Sequence, residues 1–478
     1  MKQALIVLAV FIFGVAPLGY CDTQLTLDGN NKVVSLDTGN FQVNVSPPWH
    51  KGAYYYTNPD PVGPYGVHVA GKYAYVAADA EHSLTILDIS DPENPVLVGE
   101  ITDAVNLKGA GSVQVAGDYA YVAAYTADAL TVVDVSDPHD PQYAGTLKAS
   151  SVRLLDNPSC VFVSGQHAYV ASTGDNAVEI IDISDPTDPS HSGAIDDSGD
   201  AKLGGAYGIY VVGKYAYVAA RGDNAVEVLD VSDPSDPQHV GSITDTAITA
   251  LGGAMAIYVS GKYAYVAASA EHGVEILDIS NPSNPKHVGA IFDSSSTLLN
   301  TPRDIRVAGK YAYVTSFDEH GVEILDISDP SHPTHAGAIT DNVTTALNGA
   351  ANLQISGKYL YVTGYNDKGL EILDIPGLDA PGAAIGSIST NHLDVSEGTR
   401  IGHTLHVGGG MTVGNGGIKS DGRVSIRDVL TLLPRSSPPS DYINGDIYMD
   451  TDGYIYYYHT RWYRLDRSSV TPTGISDE

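Results

Sequence analysis

Short apolar runs of five or six residues, each bounded by a polar turn, recur from about residue 62 to residue 375. One representative stretch predicts four β-strands, over residues 208–212, 215–219, 226–231 and 239–243. The pairs Gly213-Lys214 and Asp223-Asn224 between these runs are two-residue turns of the kind that join antiparallel strands. The Asp-Pro steps that follow residue 232 fix φ and stop further strand pairing. The pattern therefore predicts an all-β unit of four hairpin-linked strands.

This unit recurs seven times, and the glycine of its first turn marks each copy. The marker glycines are Gly71, Gly117, Gly165, Gly213, Gly261, Gly309 and Gly357. The first two are 46 residues apart, and each later interval is 48 residues. Four antiparallel strands per repeat of this length are typical of a propeller blade. A β-solenoid is the structural alternative, but its coils are usually shorter. We therefore expect a seven-bladed β-propeller over residues 62–390.

The second strand of each copy is apolar on both faces, as expected for a sheet that is covered on both sides. In the first copy, Tyr73 and Tyr75 share one face, and Ala74 and Val76 share the other. The large face of one blade can therefore interlock with the small face of its neighbour. A single sheet of this kind would leave both faces in water, so the seven copies must pack against one another.

The third strand of each copy ends in a shared motif, which first occurs as LTILDISDP at residues 84–92. It returns as LTVVDVSDP at 130–138 and in the copies that end at Pro186, Pro234, Pro282 and Pro330. The last copy departs from it and reads LEILDIP at 370–376. This repeated motif resembles the signature of the LVIVD-repeat family of surface and secreted propellers. The resemblance implies a propeller in an extracytoplasmic setting, and it implies no particular reaction.

Residues 1–21 have the features of a secretory signal. Lys2 supplies the positive end, residues 4–15 form a short apolar run, and cleavage is expected before Asp22. The run is too short for a comfortable transmembrane helix. A lipoprotein, lipidated at Cys21, is the less favoured alternative because the bulky Tyr20 stands where a small residue is expected. We therefore expect a secreted or cell-surface protein.

Two unrepeated segments flank the predicted propeller. Residues 22–61 contain short strand candidates, and we expect this segment either to add a closing strand to the ring or to pack with the C-terminal end. Residues 391–478 combine glycine-spaced apolar pairs with a predicted hairpin that turns at Asp452-Gly453. This small β-rich appendage is similar to the fibre-like ends of phage tail and adhesin proteins. That similarity implies a homotrimer formed through the C-terminal segment.

The chain is strongly acidic, with 57 Asp and Glu against 25 Lys and Arg and a formal net charge of −32. Such a field repels phosphate backbones, which excludes nucleic-acid binding through basic patches. If the signal is removed through Cys21, Cys160 is the only cysteine, so no internal disulfide can form. The sequence contains no serine-nucleophile elbow, phosphate-binding loop or zinc-ligand motif.

Two sets of aspartates recur with the repeat. The first closes the third strand of every copy and comprises Asp88, Asp134, Asp182, Asp230, Asp278, Asp326 and Asp374. Because a feature that is identical in every blade is typical of architecture, we interpret these residues as turn residues that accept backbone N–H groups. The second set begins the connection to the next blade and comprises Asp103, Asp197, Asp245, Asp293 and Asp341. Calcium binding is the alternative to a solvated turn there. We expect no metal site and no cofactor.

The first strand of each copy, expected to line the channel, differs most between copies. The position five residues before the marker glycine is polar in two late copies, as Asp304 and Asn352, and the position three before it holds His68, Arg306 and Gln354. Together with Arg303, these side chains are the candidate ligand-binding residues at the channel mouth. The alternative is a water-lined wall with an internal Arg–Asp pair.

Three functions are consistent with these features. The favoured one is a non-enzymatic secreted or cell-surface binding or adhesion protein, whose ligand is an unknown protein or glycan. The second is an extracellular hydrolase or lyase with a site around Arg303, Asp304 and Arg306. The third is a structural component of a surface layer.

Overall fold

The structure is a computed structural model that describes residues 25–28, 33–36, 48–56, 63–375, 434–435, 447–450, 455–459, 461–465 and 476–477, with side chains over 48–56 and 63–375. Strands between Trp49 and Asp374 form a ring of seven four-stranded antiparallel sheets, which confirms the seven-bladed β-propeller. No residue in the described ranges is helical, and none of these elements is a helix that could span a membrane.

The strands are numbered in chain order. Two strands form a hairpin before the ring, β1 (Leu25–Asp28) and β2 (Val33–Leu36), and β3 is Trp49–Tyr55. Blade 1 comprises β4 (Pro64–Ala70), β5 (Tyr73–Ala78), β6 (Ser83–Asp88) and β7 (Val96–Thr102). Blade 2 comprises β8 (Ala110–Ala116), β9 (Tyr119–Ala124), β10 (Ala129–Asp134) and β11 (Gln142–Lys148). Blade 3 comprises β12 (Pro158–Ser164), β13 (His167–Ser172), β14 (Ala177–Asp182) and β15 (Ser190–Asp196). Blade 4 comprises β16 (Ala206–Val212), β17 (Tyr215–Ala220), β18 (Ala225–Asp230) and β19 (Gln238–Thr244). Blade 5 comprises β20 (Ala254–Ser260), β21 (Tyr263–Ala268), β22 (Gly273–Asp278) and β23 (Lys286–Phe292). Blade 6 comprises β24 (Pro302–Ala308), β25 (Tyr311–Ser316), β26 (Gly321–Asp326) and β27 (Thr334–Thr340). Blade 7 comprises β28 (Ala350–Ser356), β29 (Tyr359–Gly364), β30 (Gly369–Asp374) and β3.

Seven hydrophobic clusters hold the ring together, one between each pair of neighbouring blades. Between blades 1 and 2, Tyr75 and Leu84 pack against Ala120 and Val122, and all four are buried. The large face of one sheet therefore meets the small face of the next, as the alternation along the second strand predicts. Burial of one such large side chain contributes about 1.5–3 kcal/mol, so the interfaces dominate the stability of the ring.

The N-terminal segment closes the ring. β3 pairs antiparallel with β30, so that Trp49 lies opposite Asp374 and Tyr55 lies opposite Gly369. The seventh repeat supplies only three strands, and β3 is the outermost fourth strand of its blade. Of the two placements that the sequence left open for residues 22–61, the structure shows the closing strand for Trp49–Tyr55.

Five blades contain a fully buried glutamate in the middle of the third strand, paired with a histidine on the outer strand. The pairs are His191–Glu179, His239–Glu227, His287–Glu275, His335–Glu323 and His50–Glu371, with Nδ1–Oε1 distances of 2.5–2.6 Å. In each, the second carboxylate oxygen accepts a backbone N–H from the connection that leads into the same blade, at 2.8–3.0 Å. Each glutamate therefore joins the outer strand to the inter-blade connection.

Glycines in the outer strands allow close contact with the next blade. A Cβ added at Gly193 would lie 2.5 Å from the carbonyl oxygen of Pro234, in the Asp-Pro turn of blade 4. Gly52 occupies the equivalent position in β3, where a Cβ would overlap the carbonyl oxygen of Pro92 in blade 1. The closing strand therefore makes the same contact across the joint that the other outer strands make inside the chain.

The C-terminal residues 399–478 form a separate compact unit. Its described strands are β31 (Pro434–Arg435), β32 (Ile447–Asp450), β33 (Ile455–His459), β34 (Arg461–Leu465) and β35 (Ser476–Asp477), in one five-stranded sheet. The predicted signal at 1–21, Cys21 and the glycine-spaced run at 405–418 lie outside the described residues. Trimerisation through 391–478 stays a prediction.

Gly52→Val is expected to open the ring, because the added side chain forces β3 away from blade 1 at the joint between the two chain ends. Amide hydrogen exchange should rise across Gly369–Asp374, the partner strand of β3. Gly193→Val is the matched control, since it makes the same clash inside the chain and should leave Gly369–Asp374 protected. Unchanged exchange at Gly369–Asp374 in Gly52→Val would contradict this account of ring closure.

The buried glutamates should make stability depend on pH. Burial raises the pKa of Glu275 to about 7, so the folded protein holds a proton there that the unfolded chain releases near pH 4.5. The raised pKa therefore adds to the stability of the folded state below about pH 4.5, and this stabilisation is lost as the pH rises from 4.5 to 7. In Glu275→Gln, the amide can keep the bonds to Ala250 and His287 without titrating. The Tm difference between pH 5 and pH 8 should therefore be smaller in Glu275→Gln than in the wild type, and an equal difference would contradict this.

Candidate functional site in the central channel

The first strands of all seven blades surround a cavity of about 350 Å³ on the ring axis. All six channel residues singled out from the sequence line it: His68, Arg303, Asp304, Arg306, Asn352 and Gln354. A volume of this size lies within the range of about 300–1,000 Å³ that is usual for small-ligand sites. The repeat thus brings together side chains that are up to almost 300 residues apart in the chain.

An irregularity at the start of the inner strands adds a second layer of side chains to the cavity. The strand register shifts between Pro64 and Gly66, and the equivalent shift occurs between Ala206 and Gly208. Bulges of this kind re-aim a side chain. As a result Tyr65 and Tyr207 line the cavity together with the residues that follow them, although strict alternation along a strand would not place them there.

One half of the channel wall is aromatic. Phe162, Tyr210 and Tyr258 come from three consecutive blades, with ring centroids 4.9 Å apart for the first pair and 5.1 Å apart for the second. The guanidinium of Arg306 lies 5.8 Å from the centre of the Tyr258 ring and extends this surface. At the same level, Gln354, His68 and Gln114 form the polar half of the wall. The layer therefore offers an aromatic surface of three neighbouring rings, inclined to one another by 53° and 64°, opposite hydrogen-bonding side chains.

Asp304 is buried in the wall, with 3% of its surface exposed. Its carboxylate accepts hydrogen bonds from the backbone of Ile305 at 2.8 Å and of Leu353 at 3.0 Å, and from the side chains of Asn352 and Arg306. Burial raises the pKa of this carboxyl group. Four donors therefore occupy the two oxygens, and the charge is neutralised by Arg306.

Other polar residues of the wall connect neighbouring blades. The backbone N–H of Val67 donates to Asn352 Oδ1 at 3.0 Å, and that of Val163 donates to Gln114 Oε1 at 2.6 Å. His68 Nδ1 accepts the N–H of Val115 at 3.3 Å, and burial lowers the pKa of this histidine to about 4. His68 is therefore neutral at physiological pH and carries its proton on Nε2.

Three residues from blades 1, 4 and 6 meet across the channel in this second layer. Arg303 Nη1 donates to the hydroxyl of Tyr65 at 2.9 Å, and this hydroxyl lies 2.7 Å from that of Tyr207. The guanidinium of Arg303 stacks 4.0 Å from the centre of the Phe317 ring. Tyr365 packs edge-on against Tyr65, with the ring centroids 6.3 Å apart. We name Tyr65, Tyr207 and Arg303 the axial cluster.

The repeated aspartates lie outside this cavity, in their own turns. In the first set, Asp230 accepts the N–H of Ser232 at 3.0 Å and pairs with Lys214. In the second set, Asp245 accepts the hydroxyl of Thr249 at 2.9 Å and the N–H of Leu251 at 3.3 Å. In the part of the chain that the structure describes, no group of three or more His, Cys, Asp and Glu residues could hold a metal ion.

The profile of the LVIVD repeat matches residues 65–103, 109–148, 158–197, 203–245, 251–292, 301–341 and 349–382. These matches cover more than half of the chain and contain one repeat for each blade. The chain therefore belongs to the LVIVD repeat family, as the motif at the third strand predicts. A comparison with curated protein sequences finds no match.

Solved structures share the fold at low identity. A Kuenenia stuttgartiensis hydrazine synthase chain is 18% identical over 67% of this chain and 97% of its own length, with a TM-score of 0.51. Virginiamycin B lyase from Staphylococcus aureus is 11% identical over 67% of this chain and 98% of its own length, also with a TM-score of 0.51. At this level of identity the similarity extends to the propeller fold alone.

Asp304→Ala is expected to destabilise the propeller by about 3 kcal/mol or more, because it leaves the Arg306 charge and the N–H of Leu353 without a partner. The free energy of unfolding from urea titration measures this. The control is Asp200→Ala, which removes an exposed carboxylate and should change the free energy of unfolding by about 0.5 kcal/mol or less. Equal stability of the two variants would show that Asp304 is not a structural charge.

Proposed function

We propose that this protein is a non-enzymatic recognition protein that binds carbohydrate in its central channel. The observation that carries the proposal is the aromatic surface of Phe162, Tyr210 and Tyr258 opposite the polar side chains of the same layer. A sugar ring has apolar C–H faces and a hydroxyl-bearing rim. Its face fits an aromatic surface, and its rim fits amide, imidazole and guanidinium groups.

The hydrogen bonding of the wall favours binding over catalysis. A hydrolase or lyase needs a general acid or base whose pKa lies near the working pH and whose proton can reach the substrate. Asp304 is fully occupied by four donors. The Nδ1 atom of His68, which would take up a proton, already accepts the N–H of Val115, and burial lowers the pKa of this imidazole to about 4. The lyase with the same fold is too distant in sequence for its activity to be transferred here.

The ends of the chain fit a recognition role. A secretory signal at 1–21 would place the propeller outside the cell, where glycans are displayed. A trimer formed through residues 391–478 would present three channels together, and linked sites of modest affinity can bind a repeating glycan much more tightly than one site does. Both features are part of the proposal.

Tyr210→Ala is expected to lower, at least tenfold, the affinity for a glycan that the wild type binds, because it removes the central ring of the aromatic surface. Ligands are first identified on a glycan array with the full-length mature protein, and affinities are then measured by calorimetry. Tyr143→Ala removes a tyrosine that is 46% exposed on the outer strand of blade 2 and should leave affinity unchanged. Turnover of the glycan, or equal affinity of wild type and Tyr210→Ala, would contradict the proposal.

A further inference from the structure

The axial cluster contains a positive charge that no carboxylate of the described residues balances. Four arginines occur within residues 63–375, at 153, 221, 303 and 306. Within the described part of the chain, no Asp or Glu oxygen lies within 4.0 Å of Arg303, although the whole chain has a net charge of −32. Arg306, three residues further along the same strand, is paired with Asp304. Of the two arginines in the channel wall, Arg306 has a carboxylate partner and Arg303 has none among the described residues.

Arg303 is nevertheless held firmly in place. Phe317 packs against the flat face of its guanidinium at 4.0 Å, and the hydroxyl of Tyr65 accepts a hydrogen bond from Nη1 at 2.9 Å. Its Nε–H is buried and has no acceptor among the described residues. A guanidinium with a fixed plane and donors to spare is suited to bind a planar carboxylate through two parallel hydrogen bonds.

The two tyrosines extend the set of donors. Arginine can only donate, so the Tyr65 oxygen is an acceptor towards Arg303. If Tyr65 donates in turn to Tyr207, the hydroxyl proton of Tyr207 is directed to a third group. Burial raises the pKa of Tyr207 well above its ordinary value, so this hydroxyl remains a donor at physiological pH. Arg303 and Tyr207 can therefore offer N–H and O–H groups to the same anion.

We propose that the channel ligand is an acidic carbohydrate, whose carboxylate binds to Arg303 in the axial cluster while its ring stacks on the aromatic surface. This inference rests on the proposed carbohydrate function and adds the charge of the ligand. The cavity of about 350 Å³ is at the small end of ligand sites, which favours a terminal uronic acid residue over a long internal segment.

The net negative charge of the chain does not prevent an acidic carbohydrate from binding in the channel. At physiological ionic strength the Debye length is about 8 Å, so most of the exposed carboxylates are screened from a ligand inside the channel. The contact with Arg303 is direct and partly desolvated, and charge-assisted hydrogen bonds are about twice as strong as neutral ones. The net charge of the chain should slow association, whereas Arg303 should govern affinity.

The test compares two oligosaccharides that differ only in the terminal residue, galacturonic acid in one and galactose in the other. Full-length wild type is expected to bind the acidic member at least tenfold more tightly in calorimetry. Arg303→Gln should abolish this preference. Arg153→Gln is the matched control, because Arg153 lies on the connection before blade 3, where its Nε donates to Ser150 at 3.1 Å. It should keep the full preference.

The outcomes separate the two proposals. In one outcome, the wild type binds both oligosaccharides equally while Tyr210→Ala binds neither. That result would overturn the proposal of an acidic ligand and leave the proposal of carbohydrate binding intact. Absence of binding to either oligosaccharide and to every glycan on the array would overturn both proposals. If Arg303→Gln does not fold by circular dichroism, Arg303→Lys replaces it. Lysine keeps the charge without the planar fork, so the preference should fall but persist, and an unchanged preference would contradict the assignment.

Discussion

The face-to-face packing of neighbouring blades is the constraint on which the rest of this protein depends. Each sheet has two apolar faces, so a blade is stable only between two others, and seven interfaces exist only if the ring is closed. The seventh interface packs Tyr361 and Leu370 against Ala74 and Val76 of the first blade. β3 completes blade 7 and then continues the chain into blade 1. Its pairing with β30 therefore ties the first blade of the chain to the last.

The buried Glu–His pairs extend this constraint to the circumference of the ring. A buried carboxyl group in an apolar strand is costly unless it is hydrogen-bonded, and each of these is hydrogen-bonded on both sides. Blades 1 and 2 lack the pair, and both of its members change together. Threonine replaces glutamate at Thr85 and Thr131, and the histidine position holds Leu97 and Tyr143. Thr131 instead donates to the carbonyl of Asn106, at the point in the connection where the other blades offer an N–H. In blade 2 the same junction is therefore made with the hydrogen-bond direction reversed.

Much of the fold could be predicted from the sequence because a regular repeat carries it. Strand order, turn positions and the number of blades follow from the marker glycines and the Asp-Pro steps. The strand pattern does not decide whether residues 22–61 close the ring or pack with the C-terminal end, although residues 50–53 read HKGA and match HSGA at 191–194 and HVGA at 287–290. That short match is the signal that identifies β3 as an outer strand, but it lies outside the 48-residue register.

The site was predictable only in part, for geometric reasons. The variable polar residues of the inner strands do line one cavity, and the alternative of an internal Arg–Asp pair describes Arg306 and Asp304. Tyr65 and Tyr207 were missed because a bulge, which sequence periodicity does not reveal, turns them towards the axis. Their contact with Arg303 joins blades 1, 4 and 6, and only a closed ring brings such positions together. The candidate site thus lies where the seven copies differ.

A crystal structure of the full-length mature protein with a uronic-acid-terminated oligosaccharide tests this account most directly. The account predicts a sugar ring stacked on Tyr210 and Tyr258 inside a closed ring, with its carboxylate at Arg303. A sugar bound on the outer wall of the propeller, or an unoccupied channel in crystals that bind the oligosaccharide elsewhere, would contradict it.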